Sequence, residues 1–556
     1  MKLSRRDALK LGGLAAVGTA GLALPLGRSV QAGTPSLLST GNFPPRYTNV
    51  LTIPEAMQPV RQDVVDGKVV KKYYDVTAKT VPAAKILPKL STIMLGYNGS
   101  IPGPRIDVDQ GQAVQLVVRN ALGATTGTFG TPSPISTHLH GSASLPQYDG
   151  YAGDLTLNGQ KKYYQYPNFQ PARTLWYHDH AQHYTAQNAY SGLAAQYHLH
   201  DAVERAALPQ GEFDVPLTVS DAMFQANGAL MYDDRTHSGL WGDVILVNGV
   251  AWPVLKVKRA VYRFRLLNAS ISRSYRPTLS NGAQVHMVAT DGGMMPKVQK
   301  VSQWRHGSAE RYEFLVDFRS YAPGTRIELK NLSNPNNRDY DHTGKIMAFD
   351  VVGDPVSDAV KNWRIPTEFR CVVDPVTGQK RLTDDPSAPL VNDEVMGLVP
   401  TKDMEVRTLR VQKSDVTNLW SINGETWDDV VRSDYRKVVA DPDLGDTEIW
   451  EIQNNSGGWF HPVHIHLIDF KILSRNGRPP FPYEMGPKDV VYVGENETVR
   501  VIMKFGPHRG KYMVHCHNLP HEDHDMMHQF SVGLDDDHPD GNDPITGERP
   551  TDDDHS

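Results

Sequence analysis

The stretch HCHNLPHEDHDM, His515 to Met526, consists almost entirely of metal-donor side chains. Cys516 lies between His515 and His517, His521 follows the cysteine by five residues, and Met526 follows it by ten. Thiolate, imidazole and a weak thioether make up the donor set of a blue-copper electron-transfer site. On an extended segment Cys516 points to one face and its two neighbours to the other. The tripeptide can then touch two metal centres and join them through covalent bonds.

Three further histidine clusters stand out among the 22 histidines. HLHG contains His138 and His140, WYHDH contains His178 and His180, and HPVHIH contains His461, His464 and His466. Residues i and i+2 share a strand face, so each His-x-His pair can serve two adjacent ions from one edge. The middle of the chain has only scattered histidines: His237, His286, His306 and His342. The metal cluster is therefore expected between the first and last parts of the chain, with the middle part as a spacer. His198-Leu199-His200 is another His-x-His, but no glycine follows it, and it is read as structural. His183 and His524 are read as supporting or surface residues, and His528, His538 and His555 have no partner pattern.

These residues need elements to position them. A three-fold internal pattern supplies them, with an Asn-Gly turn followed by an alternating apolar strand that ends in Asn. Asn98-Gly99 precedes VQLVVRN ending at Asn120, Asn248-Gly249 precedes YRFRLLN ending at Asn268, and Asn423-Gly424 precedes EIWEIQN ending at Asn454. Alternation such as Val114, Leu116, Val118 marks half-buried strands. Repeated strand units of this size predict an all-β chain of three Greek-key sandwiches. The expected boundaries are 45–205, 206–355 and 385–534, with a Pro- and charge-rich linker over 356–384. A chain of 556 residues is also too long for a single core.

The two ends read differently. Residues 1–32 carry Arg5-Arg6, a short Gly-rich apolar run and the small-residue site Val30-Gln31-Ala32. This pattern predicts a twin-arginine signal, export by that machinery, and a periplasmic or extracellular address. No other segment is apolar enough to cross a bilayer, so no stable membrane insertion is expected. With this segment of net +4 set aside, the formal charge of −6 becomes −10. The tail 535–556 is strongly acidic and has no apolar pattern, so a solvated, disordered extension is expected. This charge balance argues against nucleic-acid binding. Of the two cysteines, Cys516 is committed to metal, which leaves Cys371 as a buried spectator without a disulfide.

The sequence resembles the multicopper oxidases over roughly residues 90–532, and within them most resembles the bilirubin oxidases, with the spore-coat laccases next. The resemblance is carried by the four histidine motifs in order, by YNGSIPGP (97–104), LWYHDHAQHYTAQNAYSG (175–192), WGDVILVNG (241–249), YRFRLLNASISRSY (262–275) and HCHNLPHEDHDMM (515–527). It implies three cupredoxin-like Greek-key domains and four coppers per chain. By the same resemblance His461, Cys516 and His521 bind the type 1 copper, with Met526 as axial ligand and Met527 as the alternative. His138 and His464 bind the type 2 copper. His140, His178, His180, His466, His515 and His517 bind the type 3 pair. Asp149 and Glu522 match proton-supplying carboxylates, a role that coexists with orienting ligand imidazoles. Trp459, two residues before His461, is expected to shape the substrate-side surface.

The function this implies is one-electron oxidation of a phenolic, aromatic-amine or tetrapyrrole donor, coupled to reduction of dioxygen to water. The donor's electron is expected to arrive through the exposed edge of a ligand histidine. One rival is a metallo-oxidase acting on Cu(I), Fe(II) or Mn(II); the 16 methionines are scattered rather than gathered in an insertion, which weighs against Cu(I). A second rival is a cupredoxin-like scaffold that has lost copper, yet no ligand is missing. A zinc hydrolase does not explain a cysteine flanked by histidines with a trailing methionine.

Overall fold

The structure is a computed structural model that describes residues 36–123, 133–375, 378–414 and 416–534. The expectations for 1–32 and 535–556 lie outside these residues. Strands dominate and fall into three face-to-face pairs of sheets, as the alternating pattern predicts. In the first sandwich, strands Arg61–Val65, Lys68–Ala84, Thr92–Tyr97, Ala113–Ala121 and Lys161–Tyr166 face a sheet of Ile106–Asp109, Ala194–His200, Arg173–Asp179 and Thr137–His140. The middle sandwich is built from a seven-stranded and a four-stranded sheet. The third packs a five-stranded sheet against the strands Val490–Val493, His461–Ile465, Gly510–Cys516 and Met527–Val532.

The three-fold sequence pattern is a three-fold structural device. Asn98, Asn248 and Asn423 have φ of 52°, 49° and 55°, and their following glycines 79°, 77° and 85°. Two consecutive left-handed residues make the tight turn that Asn-Gly favours. Each turn asparagine then accepts, through Oδ1, a backbone N–H of the neighbouring strand: Thr77 at 2.8 Å, Thr218 at 2.7 Å and Arg410 at 2.8 Å. The strand-ending asparagines repeat as well. Asn120, Asn268 and Asn454 each accept the N–H two residues on, at 3.1, 2.9 and 3.0 Å, and donate to carbonyls of the next loop. Each repeated strand also pairs in parallel with the strand whose N–H its turn asparagine accepts.

The span expected as a bare linker holds more structure than its composition suggests. It contains a short helix, Asp358–Asn362, and a hairpin of Cys371–Val373 with Lys380–Leu382. Cys371 is buried there among Val203, Met294 and Phe369, as expected, and is a free cysteine. No helix among the described residues is long and apolar enough to cross a membrane.

Candidate metal centre

Register brings the histidine motifs together. Within the first sandwich His138 pairs with His178 across adjacent strands. In the third, Val463 pairs with Cys516 and His464 with His515. The alternation in HCH then sends Cys516 into the core of the third sandwich and His515 and His517 toward the first. A short helix, Leu519–Asp523, follows and returns His521 to the cysteine. Asp523 accepts the N–H groups of Thr185 and Ala186 at 3.1 and 2.8 Å, which fastens this segment to the first sandwich.

The first donor group is compact. His461 Nδ1 lies 3.4 Å and His521 Nδ1 3.7 Å from Cys516 Sγ, and the two Nδ1 atoms are 3.2 Å apart. The other ring nitrogens are engaged elsewhere: His461 Nε2 meets Ser456 Oγ at 2.8 Å, and His521 Nε2 meets Asn518 Nδ2 at 2.9 Å and the Ser238 carbonyl at 3.1 Å. With the protons on Nε2, two lone pairs and a sulfur face one another, an arrangement that suits a cation between them. Met526 is buried in the same apolar cluster as Cys516, whereas Met527 packs with Tyr151, Trp427 and Met513 in another. This separation favours Met526 over Met527 as the thioether on the cysteine side.

Eight imidazoles form the second group, between the first and third sandwiches. His515 Nε2 lies 3.1 Å from both His180 Nε2 and His466 Nε2. His140, His178 and His517 form another triangle, with ring centroids 5.2–5.8 Å apart. His138 stacks on His466 at 3.9 Å and His140 on His464 at 3.6 Å. The nitrogens that face inward are buried and lack protein partners: His138 Nε2, His140 Nδ1, His178 Nε2, His464 Nε2 and His517 Nε2. Buried polar atoms left unpaired are costly, so a set of them converging on one space fits metal ions. Burial also keeps the rings neutral, the form that binds metal, lowering His178 to about 3 and His180 to about 4. His461 is likewise lowered to about 3 by burial. Burial pushes the Cys516 thiol up, and a coordinated metal would deprotonate it.

The outward nitrogens are oriented by neighbours. His138 Nδ1 and His464 Nδ1 donate to the carbonyls of Asp149 and Asp489 at 2.5 and 2.9 Å, and His178 Nδ1 to that of Asp179 at 2.8 Å. Asp149 Oδ2 lies 2.7 Å from His466 Nδ1, and Glu522 Oε2 2.9 Å from His515 Nδ1. The two carboxyls are shifted in opposite directions. Burial, weakly opposed by Lys162, raises Asp149 well above the usual carboxylate range. Burial pulls Glu522 in the same direction, but His515 and His180 outweigh it and hold Glu522 at about 2.

One expectation fails. Neither His461 nor His521 has an exposed edge, since both are fully buried. Trp420 stacks on His521 at 3.8 Å, Trp459 lies 5.5 Å from the same ring, and the Ser238 loop closes over its Nε2. The middle sandwich supplies that loop, and nothing in its sequence signals a contact with His521. The structural histidines have other partners: His198 Nε2 meets Gln196 and His200 Nδ1 meets Glu204, at 2.7 and 3.1 Å. His183 meets the Asp523 carbonyl, His524 pairs with Asp234, and His528 with Glu425. His538 lies outside the described residues, as does His555.

Sequence profiles described as "Multicopper oxidase" match residues 80–203 and 402–536. These two spans carry every candidate ligand. The chain is 39% identical to a bilirubin oxidase of Albifimbria verrucaria, over 88% of this chain and 81% of that protein. The chain belongs to the multicopper oxidase family. A laccase of Bacillus subtilis (strain 168) is 31% identical to this multicopper oxidase, over 88% of this chain and 98% of the laccase. The crystal structure of McoA multicopper oxidase from the hyperthermophile Aquifex aeolicus superposes with a TM-score of 0.73, at 28% identity, over 87% of this chain and 99% of that one. The enzyme is thus a copper-dependent oxidase of three cupredoxin-like sandwiches, which takes electrons from a reducing substrate and uses dioxygen.

Proposed function

We propose that this multicopper oxidase couples one-electron oxidation of phenols, aromatic amines or bilirubin-like tetrapyrroles to four-electron reduction of dioxygen to water. The observation that carries the reading is the covalent junction at residues 515–517, where Cys516 belongs to one donor group and both its neighbours to the other. Four coppers per chain are assigned to these donors. His461, Cys516, His521 and Met526 would hold a type 1 ion. His138 and His464 hold a type 2 ion. His140, His178, His180, His466, His515 and His517 hold a type 3 pair. Bound copper supplies single-electron redox chemistry at the first group and stores the electrons that dioxygen consumes at the second.

The chain's own residues do the remaining work. His515 and His517 are bonded directly to Cys516, so the two groups share one strand end. Asp149 and Glu522 flank the histidine cluster on different imidazoles, and each combines proton supply with fixing an Nδ1–H. Because both cysteine-side imidazoles are buried, the half-buried Trp459 is the surface on which a flat donor rests. Its ring faces Trp420 at 5.6 Å and Trp241 at 6.4 Å.

The test is turnover of bilirubin, a simple phenol, an aromatic amine, Cu(I) and Mn(II) by the copper-loaded protein under air. Organic turnover with matching oxygen uptake is expected. A strong preference for Cu(I) or Mn(II) with negligible organic turnover replaces this reading with a metallo-oxidase. A colourless protein with one metal per chain removes the copper assignment. Export by the twin-arginine route is part of the same reading, on the strength of Arg5-Arg6. Replacing both arginines by lysine should leave the protein in the cytoplasmic fraction, and unchanged export would overturn that route.

A further inference from the structure

The middle sandwich supplies none of the assigned ligands, yet its Arg311 holds an aspartate, Asp489, that touches the histidine cluster. Arg311, fully buried, grips Asp489 with both terminal nitrogens: Nη1 lies 2.7 Å from Oδ1 and Nη2 2.5 Å from Oδ2. Asp489 in turn touches two ligands. Its Oδ1 accepts from His140 Nε2 at 3.1 Å, and its carbonyl accepts from His464 Nδ1 at 2.9 Å. His140 comes from the first sandwich and His464 from the third, and the opposite nitrogen of each ring is one of the inward, unpartnered atoms.

The pair is built into its surroundings. Arg311 Nε donates to the carbonyl of Thr174, on the strand that carries His178, at 2.9 Å. Asp291 Oδ2 accepts the N–H groups of Asp489 and Val490 at 3.3 and 3.2 Å, and it also holds Lys488 Nζ at 2.9 Å. Lys488 Nζ is shared with Glu310 Oε1 at 2.7 Å. Gly141, next to His140, has φ of 86°, and a Cβ there would come within 2.5 Å of Arg311 Nη2 and 2.7 Å of Asp489 Oδ2. The approach of this pair to the cluster thus depends on a glycine at that position.

We propose that Asp489, its carboxylate held by Arg311 of the middle sandwich, is a positioning residue that fixes the ring orientation and tautomer of His140. The middle sandwich therefore controls metal occupancy of a cluster to which it gives no ligand. The physical case is that a ligand imidazole presents a lone pair to metal only if its other nitrogen keeps the proton. Asp489 takes that proton's hydrogen bond from His140 through its carboxylate, which the guanidinium fork keeps from turning away, and from His464 through its main-chain carbonyl.

The inference rests on the copper assignment above, and the experiment separates the two. Holoprotein of wild type, Asp489→Ala, Asp489→Asn and Arg311→Lys is challenged with a chelator. Copper retained per chain, the blue absorption of the Cys516 group and the paramagnetic signal of the histidine-cluster copper are followed together. Asp489→Ala should lower copper affinity of the histidine cluster by about 10–100-fold, with the blue band per chain unchanged. Asp489→Asn, which keeps an acceptor for His140, should recover part of the loss, and Arg311→Lys should lie between it and wild type. Equal copper retention and identical cluster signals in all four proteins would overturn the positioning role while leaving the copper assignment intact. Wild type without copper would instead overturn the assignment. If Asp489→Ala does not fold, Asp489→Asn and Arg311→Lys decide: wild-type retention in both overturns the proposal, and graded loss with an intact blue band supports it.

Discussion

At the scale of residues, the two donor groups depend on a single strand end. Cys516→Ser replaces the soft sulfur with a hydroxyl of similar shape, so the fold should survive while the blue absorption and organic oxidation disappear together. Spectroscopy and oxygen uptake on one sample check this; full-rate oxidation by the serine variant would contradict the role given to Cys516. Glu522→Gln keeps an oxygen beside His515 Nδ1 but removes the carboxylate charge. It should cost about 10–100-fold in activity, measured as oxygen consumption at equal copper content. The ligands could be read from the sequence because each pair lies two residues apart on one strand. Asp489, Arg311 and Ser238 could not. Asp489 is followed by an apolar strand and looks like an ordinary turn residue, and its partners are distant in sequence: Arg311 by 178 residues and His140 by 349.

At the scale of elements, the strand-ending asparagines explain why the pattern repeats three times. Each closes the loop that leaves its strand, and the third loop borders the cysteine-side donors. Asn454 Nδ2 donates to the Trp459 carbonyl at 2.8 Å, and its Oδ1 accepts from the N–H of Ser456. Ser456 meets His461. Asn454→Ala removes a buried side chain with several partners and should cost about 1–3 kcal/mol. Asn120→Ala should cost about as much for the same reason. The two should differ spectroscopically: the Asn454 variant should shift the blue band or its reduction potential, and the Asn120 variant should not. Equal optical spectra and potentials in both would mean that the Ser456 loop does not shape the site. Turns and strands were legible here because Asn-Gly and period-two alternation are local signals. The burial of His461 and His521 was not legible, because Trp420 and the Ser238 loop reach His521 from elements far from it in the chain.

At the scale of the whole molecule, the sandwiches are joined by buried charges that no local pattern announces. Glu204, on the helix Ala202–Ala207 after the last strand of the first sandwich, is fully buried against Arg263 and Arg265 of the middle one. Arg265 also holds Asp214 at 2.7 Å, Arg263 holds Glu313 at 2.5 Å, and Glu313 accepts from Thr174 of the first sandwich. Burial alone would raise the Glu204 carboxyl, but Arg263, His200 and Arg265 outweigh it and hold the group far below its ordinary value of 4.5. A folded-state value below the unfolded one means that this carboxylate contributes its full stability above about pH 4.5 and loses it progressively as the pH falls. Glu204→Gln removes one of the three carboxylates that face the two buried guanidinium groups, with Asp214 and Glu313 remaining as counter-charges, and the lost charge-assisted hydrogen bonds should cost about 1–3 kcal/mol at neutral pH. The same substitution removes one proton uptake from acid unfolding. The variant should therefore be less stable than wild type at pH 7, and its stability should fall less steeply with acid below about pH 4.5. Denaturant unfolding of wild type and Glu204→Gln across that range reads both effects. Parallel stability curves would show that Glu204 is not the linked group, and equal stability at pH 7 would show that the sandwich junction does not depend on its charge.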